Sequence, residues 1–218
     1  MHKRSLLAAL AVTASTVVGG AAAYATVSPD DEATPVIDVT TVDKTGDVHV
    51  MKAGRDLPNR ITHSVGMKQV GYHVDRTTET LTIAYPMSRI LNNDRFHQLV
   101  GTVITPDKKM SDPNAPFVEL VSNASKVTVR VFSYDGDTNF KQHVCKAASS
   151  SSDTKTDTVT QTVPFSCLDG VLDHGFMRSF ALLERAPKGG DLAYDLTPYT
   201  RDLPLSPYVA PTAAGAQG

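Results

Sequence analysis

The sequence predicts an all-β fold, an antiparallel β-sandwich of the immunoglobulin-like or jelly-roll-like kind that is held by one disulfide. Two observations predict this class. Several short segments repeat apolar residues at every second position and are separated by turn-forming residues, and a chain with an export signal carries two cysteines. A barrel is the alternative arrangement of the same strands.

The clearest of these segments, residues 67–85, predicts a β-hairpin. A period of two places alternate side chains on one face of a pleated strand, so each arm buries one face and leaves the other in water. The polar residues 75–79 between the arms form the turn. The predicted inward positions are Val70, Tyr72 and Val74 on the first arm and Leu81, Ile83 and Tyr85 on the second.

A second hairpin is predicted over residues 127–145, where Val127, Val129 and Val131 alternate with outward residues and the turn lies at 135–137. Antiparallel sheet explains two such hairpins most simply. Further strands are predicted at 48–51, 96–105, 117–121, 158–163 and 176–183, and one helical turn at 87–91.

Residues 1–25 have the three-part pattern of a signal peptide. A basic head precedes an apolar run over 6–18, and Ala23-Tyr24-Ala25 supplies the small residues of a cleavage site. We expect cleavage after Ala25 or Ala23 and secretion of the remainder; an uncleaved anchor is the alternative. The predicted organisation of the rest is an N-terminal tail at 26–42, a β-sandwich domain at 43–185, an irregular C-terminal strap at 186–208 and a disordered tail at 209–218.

The charge balance argues against two classes of partner. The 218 residues have a formal net charge of −2, and removal of Lys3 and Arg4 with the signal makes the chain more acidic. Nucleic acids and anionic membranes are bound by basic patches. We therefore expect no nucleic-acid partner, and no membrane contact after signal cleavage.

The two cysteines, Cys145 and Cys167, predict one disulfide. An even number of cysteines in an exported chain is typical of oxidised pairs. Closing a loop of about 22 residues stabilises the folded state by about 3 kcal/mol in the chain-entropy description.

Aromatic rings on the predicted strands are the candidates for ligand contact. Sandwich proteins bind ligands on a sheet face or at the loops of one end, where exposed rings supply contact area. The alternative is that the rings pack in the core. The candidate ligand-binding residues are Tyr72, Tyr85, Phe132 and Tyr134.

An acidic turn in the second hairpin is a candidate calcium site. Asp135, Asp137 and Asn139 offer oxygen ligands in a spacing like the start of an EF-hand loop. The EF-hand also needs Gly at its sixth position and Glu at its twelfth, and this chain has neither there. A polar hairpin turn is the alternative. The acidic turn with Asp43 and Asp47 has the same two interpretations.

Cys167, His174 and Met177, with His97 or His143, offer the residue types of a cupredoxin-like copper site. The interval from Cys to His is longer, and that from His to Met shorter, than in cupredoxin loops. The disulfide competes for Cys167, because a metal ligand must be a thiolate. We therefore expect no metal and no cofactor.

No catalytic residue is predicted. The G-x-S-x-G and H-E-x-x-H motifs are absent. The acids Asp75, Glu79, Asp94 and Glu119 have the chemistry that a glycosidase pairs, but we expect them to be solvated surface acids.

The signal and three segments of the chain resemble a set of uncharacterised exported β-sandwich proteins of high-GC Gram-positive bacteria. The segments are the acidic turn at 43–47, the hairpin at 70–85, and the pairing of Cys145 with the cysteine in Val163-Pro164-Phe165-Ser166-Cys167-Leu168. The resemblance implies an extracellular β-sandwich and carries over no catalytic residues.

Together these features predict a secreted, non-catalytic protein that binds a glycan, a cell-wall component or an extracellular protein. The lack of a catalytic constellation favours binding over chemistry. The alternatives are a secreted hydrolase acting on glycans and a cupredoxin-like copper protein.

Overall fold

The computed structural model describes residues 29–43, 47–108, 117–124, 126–134, 140–168, 172–186 and 190–210. At 126–129, 131–134 and 140–143 it describes the backbone alone. The predicted signal peptide and residues 211–218 of the predicted C-terminal tail lie outside these ranges.

The described strands form two antiparallel sheets that pack face to face, as the sequence predicts. The smaller sheet consists of β1 (Val36–Val42), β3 (Gln69–Asp75), β4 (Thr80–Pro86), β9 (Ser149–Asp153) and β10 (Thr158–Pro164). Its spatial order is β1-β3-β4-β10-β9.

The larger sheet has eight strands. They are β2 (His49–Val50), β5 (Phe96–Thr105), β6 (Phe117–Asn123), β7 (Lys126–Tyr134), β8 (Phe140–Val144), β11 (His174–Arg185), β12 (Asp191–Leu196) and β13 (Asp202–Pro204). Its order is β2-β12-β11-β5-β6-β7-β8, and β13 pairs with β11 beside that path.

Within the described residues, helical structure is limited to short connections. The two α-helical turns are α1 (Pro29–Glu32) and α2 (Asn59–Thr62), and the 3-10 turns are Lys52–Gly54, His63–Val65 and Phe165–Leu168. Among the described residues no helix is long and apolar enough to cross a membrane.

The first predicted hairpin is confirmed as β3 and β4. Tyr72 pairs with Ile83 and Val74 with Leu81, and these inward side chains are at most 1% exposed. In the turn, the Asp75 carboxylate accepts hydrogen bonds from the backbone N–H groups of Thr77 and Thr78. A side-chain acceptor of this kind satisfies the backbone of a tight turn.

Two segments without a clear apolar period form edge strands of the five-stranded sheet. The predicted tail at 26–42 contains β1, which pairs with β3, and the Ser/Thr-rich stretch before Thr158 contains β9, which pairs with β10. The backbone N–H and C=O groups that an edge strand directs toward its neighbour are paired whatever its side chains are, so pairing overrides the weak strand propensity of serine.

The stretch around residues 87–91 is irregular and does not form the predicted helical turn. Its backbone is held by distant acceptors instead. The Ile90 N–H donates to the Asp157 carboxylate, and the Leu91 N–H donates to Gln98 Oε1. Immediately before the hairpin, Asn59–Thr62 and His63–Val65 form helical turns.

The segment after β11, predicted as an irregular strap, forms β12 and β13 of the larger sheet. Near its end, Ser206 and Tyr208 contact Arg76. The Arg76 guanidinium is 4% exposed. It donates to the backbone oxygens of Glu32 (2.8 Å) and Ser206 (2.9 Å) and lies 5.7 Å from the ring of Tyr208. One side chain in the β3–β4 turn therefore joins both ends of the described chain.

The predicted disulfide is confirmed. Cys145 follows β8 in the larger sheet, and Cys167 lies in the 3-10 turn after β10 in the smaller sheet. The Cα atoms are 5.8 Å apart, within the usual range for a disulfide. The bond therefore links the two sheets covalently.

The buried apolar residues form two clusters. The large one lies between the sheets and takes inward residues from both. The small one lies on the opposite side of the eight-stranded sheet, where Val103, Val121 and Phe180 are buried and Leu99, Phe117 and Leu196 pack against them. We call this small cluster the outer layer.

Candidate functional site

Tyr72 and Tyr85, two of the predicted ligand-binding residues, lie in the core. They are 1% and 0% exposed, so a ligand cannot reach either ring. The Tyr72 hydroxyl shares a 2.8 Å hydrogen bond with Ser179, and the Tyr85 hydroxyl shares one of the same length with Thr102. Both bonds cross from the five-stranded sheet to the eight-stranded sheet.

These bonds belong to a buried polar network. Thr102 and Ser179 are hydrogen-bonded to each other at 2.7 Å, and Gln161 accepts from Tyr85 and donates to Ser122 at 2.7 Å. Burial raises the pKa of Tyr72 and raises that of Tyr85 well above its usual value, so both hydroxyls stay protonated. The network is satisfied, and it aligns the two sheets.

The other two predicted rings, Phe132 and Tyr134, lie on β7. Only the backbone of this strand is described at these positions, and there Phe132 pairs with Glu119 and Tyr134 with Phe117. Their proposed contact with a ligand therefore stays a prediction.

The calcium candidates Asp135, Asp137 and Asn139 lie outside the described residues. The other acidic turn, however, brings Asp43 and Asp47 together with Asp195 of β12, all three with carboxylate oxygens within 4.8 Å of one another. Asp195 accepts hydrogen bonds from the backbone N–H groups of Met67 (2.6 Å) and Leu196 (3.1 Å).

Burial, and then the charge of Asp47, raise the pKa of Asp195. Three carboxylates at this separation are stabilised by a shared proton or by a hard cation such as calcium. The sequence revealed Asp43 and Asp47, but it held no signal for Asp195, which reaches the turn only through the pairing of β12 in the larger sheet.

The copper candidates are separated by the fold. The Cys167 sulfur is bonded to Cys145 and is no longer a thiolate. Met177 is 0% exposed in the core between the sheets, and His174 shares a 2.9 Å hydrogen bond with Asp202. His143 is described by its backbone alone. A cupredoxin-like site does not fit this arrangement.

The four candidate catalytic acids lie in three separate parts of the molecule. Asp75 and Glu79 lie at the β3–β4 turn of the five-stranded sheet, and Asp94 is exposed before β5. Hydrogen bonds from Thr78 lower the pKa of Asp75. Glu119 lies in the middle of β6 in the other sheet and is 1% exposed, contrary to the expected surface position.

The outward side of the five-stranded sheet is rich in hydroxyl groups, and we call it the hydroxyl face. Thr162 lies opposite Thr82 and Ser149, with the two threonine hydroxyls 3.2 Å apart. All five strands are described in full, and no Lys or Arg occupies an outward position on them. The outward hydroxyl residues are Thr40, Thr80, Thr82, Ser149, Ser151, Thr158, Thr160 and Thr162.

Gly71 and Ala84 form a bare floor at the centre of the hydroxyl face. They pair with each other, and Thr40 and Thr160 flank them on the neighbouring strands. A Cβ atom at Gly71 would meet nothing within 4 Å. The backbone of β3 is therefore open to the outside at this point.

His73 stands beside this floor, two residues along β3. Its Nδ1 lies 2.8 Å from Asp38 Oδ1, and the two side chains are 45% and 77% exposed. A carboxylate only accepts hydrogen bonds, so Nδ1 carries the hydrogen, and Nε2 is the ring nitrogen left for a ligand.

Sequence reasoning missed the hydroxyl face, although its signal was present. Thr158, Thr160 and Thr162 alternate with the inward residues of β10, and Thr80 and Thr82 do the same on β4. Only the apolar positions of each alternation were used to predict function, and the polar positions between them were not.

No protein-family profile matches this sequence, and no curated protein is detectably similar to it.

Proposed function

We propose that this protein is a secreted, non-catalytic binding protein whose hydroxyl face binds a neutral glycan, such as a cell-wall polysaccharide. The observation that carries the proposal is the bare floor of Gly71 and Ala84 within a hydroxyl-rich sheet face that has no outward Lys or Arg. Export is inferred from residues 1–25, and the disulfide is compatible with an oxidising compartment.

The chemistry of the face suits an uncharged polyol. Thr and Ser hydroxyls each donate one hydrogen bond and accept two, which is also the capacity of a sugar hydroxyl. The charged outward residues, Asp38, Asp75 and Asp153, lie on an edge strand or at strand ends. A neutral ligand thus meets the centre of the face without desolvating an ion.

The floor suits a ring lying flat on the sheet. Glycine inside a strand lowers stability, and it often marks a place where a ligand approaches the backbone. Gly71 does not have a positive φ, and no neighbouring atom crowds its Cβ position, so neither reason explains a glycine here. A sugar ring over Gly71 would have the hydroxyls of Thr40 and Thr160 and the Nε2 atom of His73 around it.

Gly71→Val tests the proposal. Valine fits a strand and has open space here, so we expect a folded protein that no longer binds, because the two methyl groups fill the floor. The measurement is retention of the mature protein on microcrystalline cellulose, chitin and purified Gram-positive cell wall, with competition by soluble fragments of the retaining polymer.

The matched control is Val144→Thr on β8, a site 55% exposed on the other sheet, which is expected to leave retention unchanged. Retention of wild type that Gly71→Val leaves intact would contradict the assigned site. Failure of wild type to bind any of the three polymers would contradict the glycan proposal and turn attention to an extracellular protein partner.

Neither alternative function gains an observation. The acids Glu79 and Glu119 lie on different sheets, and Cys167 is in a disulfide, so the described residues favour neither a hydrolase nor a copper protein.

A further inference from the structure

Glu119 is a buried acid that the proposed glycan site does not use. Its neighbours in sequence, Val118 and Leu120, belong to the core between the sheets. Because side chains alternate along a strand, Glu119 faces the other way, into the outer layer. Its partners across the sheet are Val103 of β5 and the backbone of Phe132 of β7.

The surroundings of this carboxyl are apolar. Glu119 is 1% exposed, and neither of its oxygens has a hydrogen-bond partner among the described residues. Val103 lies opposite it, and Phe117 and Val121 precede and follow it on the same face of β6. An unpaired buried carboxyl is tolerated as the neutral acid, whereas the carboxylate would lose its hydration without compensation.

Two of the described charged groups on this side of the sheet, Arg178 and Lys108, are engaged elsewhere. Arg178 of β11 donates to the Thr197 carbonyl oxygen (2.9 Å) and lies 5.3 Å from the ring of Tyr199. Lys108 lies 4.8 Å from the ring of Phe176.

Two further charged groups lie near this layer. Arg130 of β7, which pairs with Val121, is exposed. Burial raises the pKa of Tyr199, and the charge of Asp107 adds to that effect. Neither Arg130 nor Asp107 compensates a charge on Glu119, because the Glu119 carboxyl oxygens have no hydrogen-bond partner among the described residues.

We propose that Glu119 is a pH-sensitive switch built into the outer layer: protonated and dry in mildly acidic surroundings, and ionised, with water drawn between β5, β6 and β7, above neutrality. The glycan proposal does not depend on this switch, and the glycan site and Glu119 lie on different sheets.

The direction of the effect follows from proton linkage. Burial raises the pKa of Glu119 from 4.5 to about 7. Between these values the folded state keeps a proton that the unfolded state has released, so the folding equilibrium shifts toward unfolding as the pH rises. The expected change is on the order of 10²-fold in the equilibrium constant across this window.

The test compares the mature wild type with Glu119→Gln, which keeps the shape and removes the ionisation. Equilibrium unfolding in urea is measured from pH 4.5 to 8.5. As the pH rises across this range, we expect the folding equilibrium constant of the wild type to fall on the order of 10²-fold relative to that of Glu119→Gln. Glu79→Gln, at an exposed acid, is the control and should follow the wild type. Other acids with raised pKa values, such as Asp191, are common to all three proteins and cancel.

Carboxyl NMR of the wild type gives a second measurement that does not depend on the variant's folding. A Glu119 midpoint near neutrality, with faster amide hydrogen exchange in β5 to β7 above it, supports the switch. A midpoint at the ordinary glutamate value, or parallel pH profiles of wild type and Glu119→Gln, would overturn it.

Discussion

The two outward sides of the sandwich obey the same alternation and have opposite characters. On the five-stranded sheet many of the outward residues are Thr or Ser, and they remain in contact with water. On the eight-stranded sheet Val103, Val121 and Phe180 are buried. The first side is therefore a solvent-facing surface, and the second is a packed layer.

Two strand glycines express this difference. Gly71, on the hydroxyl face, has open space where its Cβ would be. Gly101, in the outer layer, has the Leu120 carbonyl oxygen and the Phe180 ring well inside van der Waals distance of that position. The same residue type is thus an opening on one sheet and a packing requirement on the other.

The largest expected effect is that of Gly101→Ala. The added methyl group must displace the backbone of β6, and overpacking of this kind costs about 3 kcal/mol. The free energy of unfolding in urea, with circular dichroism as the probe, measures it.

Gly71→Ala is the matched change on the other sheet. It meets no atom and is expected to stabilise by about 0.5 kcal/mol, because alanine has less chain entropy to lose than glycine. Equal losses of stability at the two glycines would contradict the distinction between surface and layer.

Hydroxyls inside and outside the five-stranded sheet provide a comparison of intermediate size. Tyr85→Phe removes the partner of Thr102 and Gln161 in the buried network and is expected to cost about 1–2 kcal/mol. Thr82→Val removes an outward hydroxyl and should change stability by less than about 0.5 kcal/mol.

The measurement for this pair is thermal and urea unfolding under the same conditions, with glycan retention as a second readout. We expect Tyr85→Phe to retain binding and Thr82→Val to weaken it. The reverse assignment would place the binding site away from the hydroxyl face.

The smallest effect is expected at the seam between the sheets, where Asp195 meets Asp43 and Asp47. Because the pKa of Asp195 is raised above its usual 3.8, its contribution to stability falls as the pH rises through that pKa. Asp195→Asn leaves one of the two backbone N–H groups that donate to Asp195 without an acceptor, so its absolute stability falls, but its free energy of unfolding in the presence of a chelator should no longer decrease as the pH rises through the pKa of Asp195.

Melting temperatures in chelator and in calcium measure this effect. If calcium raises the melting temperature of wild type and not that of Asp195→Asn, the cluster binds the cation; if calcium leaves both unchanged, it shares a proton. The same dependence of stability on pH in wild type and Asp195→Asn would contradict the role of charge repulsion.

The sequence predicted the fold where alternation was complete. Tyr72 and Ile83 pair in the expected hairpin, and Cys145 and Cys167 form the expected bond. It failed where strands lack apolar alternation, as in β9, which is mostly serine and is held by its pairing with β10. Strand propensity does not predict a strand whose backbone hydrogen bonds are supplied by a neighbouring strand.

The candidate site was harder to predict for a related reason. The alternation that identified Tyr85 as an inward residue also places its ring out of reach of a ligand. Its hydroxyl is hydrogen-bonded to Thr102 across the core. Asp195 and Gly71 gain their meaning from residues on other strands. Neither can be recognised without the register between strands.

Arg76 has a mechanical consequence. It joins the chain near Glu32 to the chain near Ser206 at one corner of the molecule. Arg201 joins the same two segments of the chain through Asp31, at 2.9 Å. We expect a force that pulls these segments apart to act on these two contacts before it reaches the Val36–Asp75 pair between β1 and β3, so that resistance to tension depends on a few side chains at one corner and not on the core.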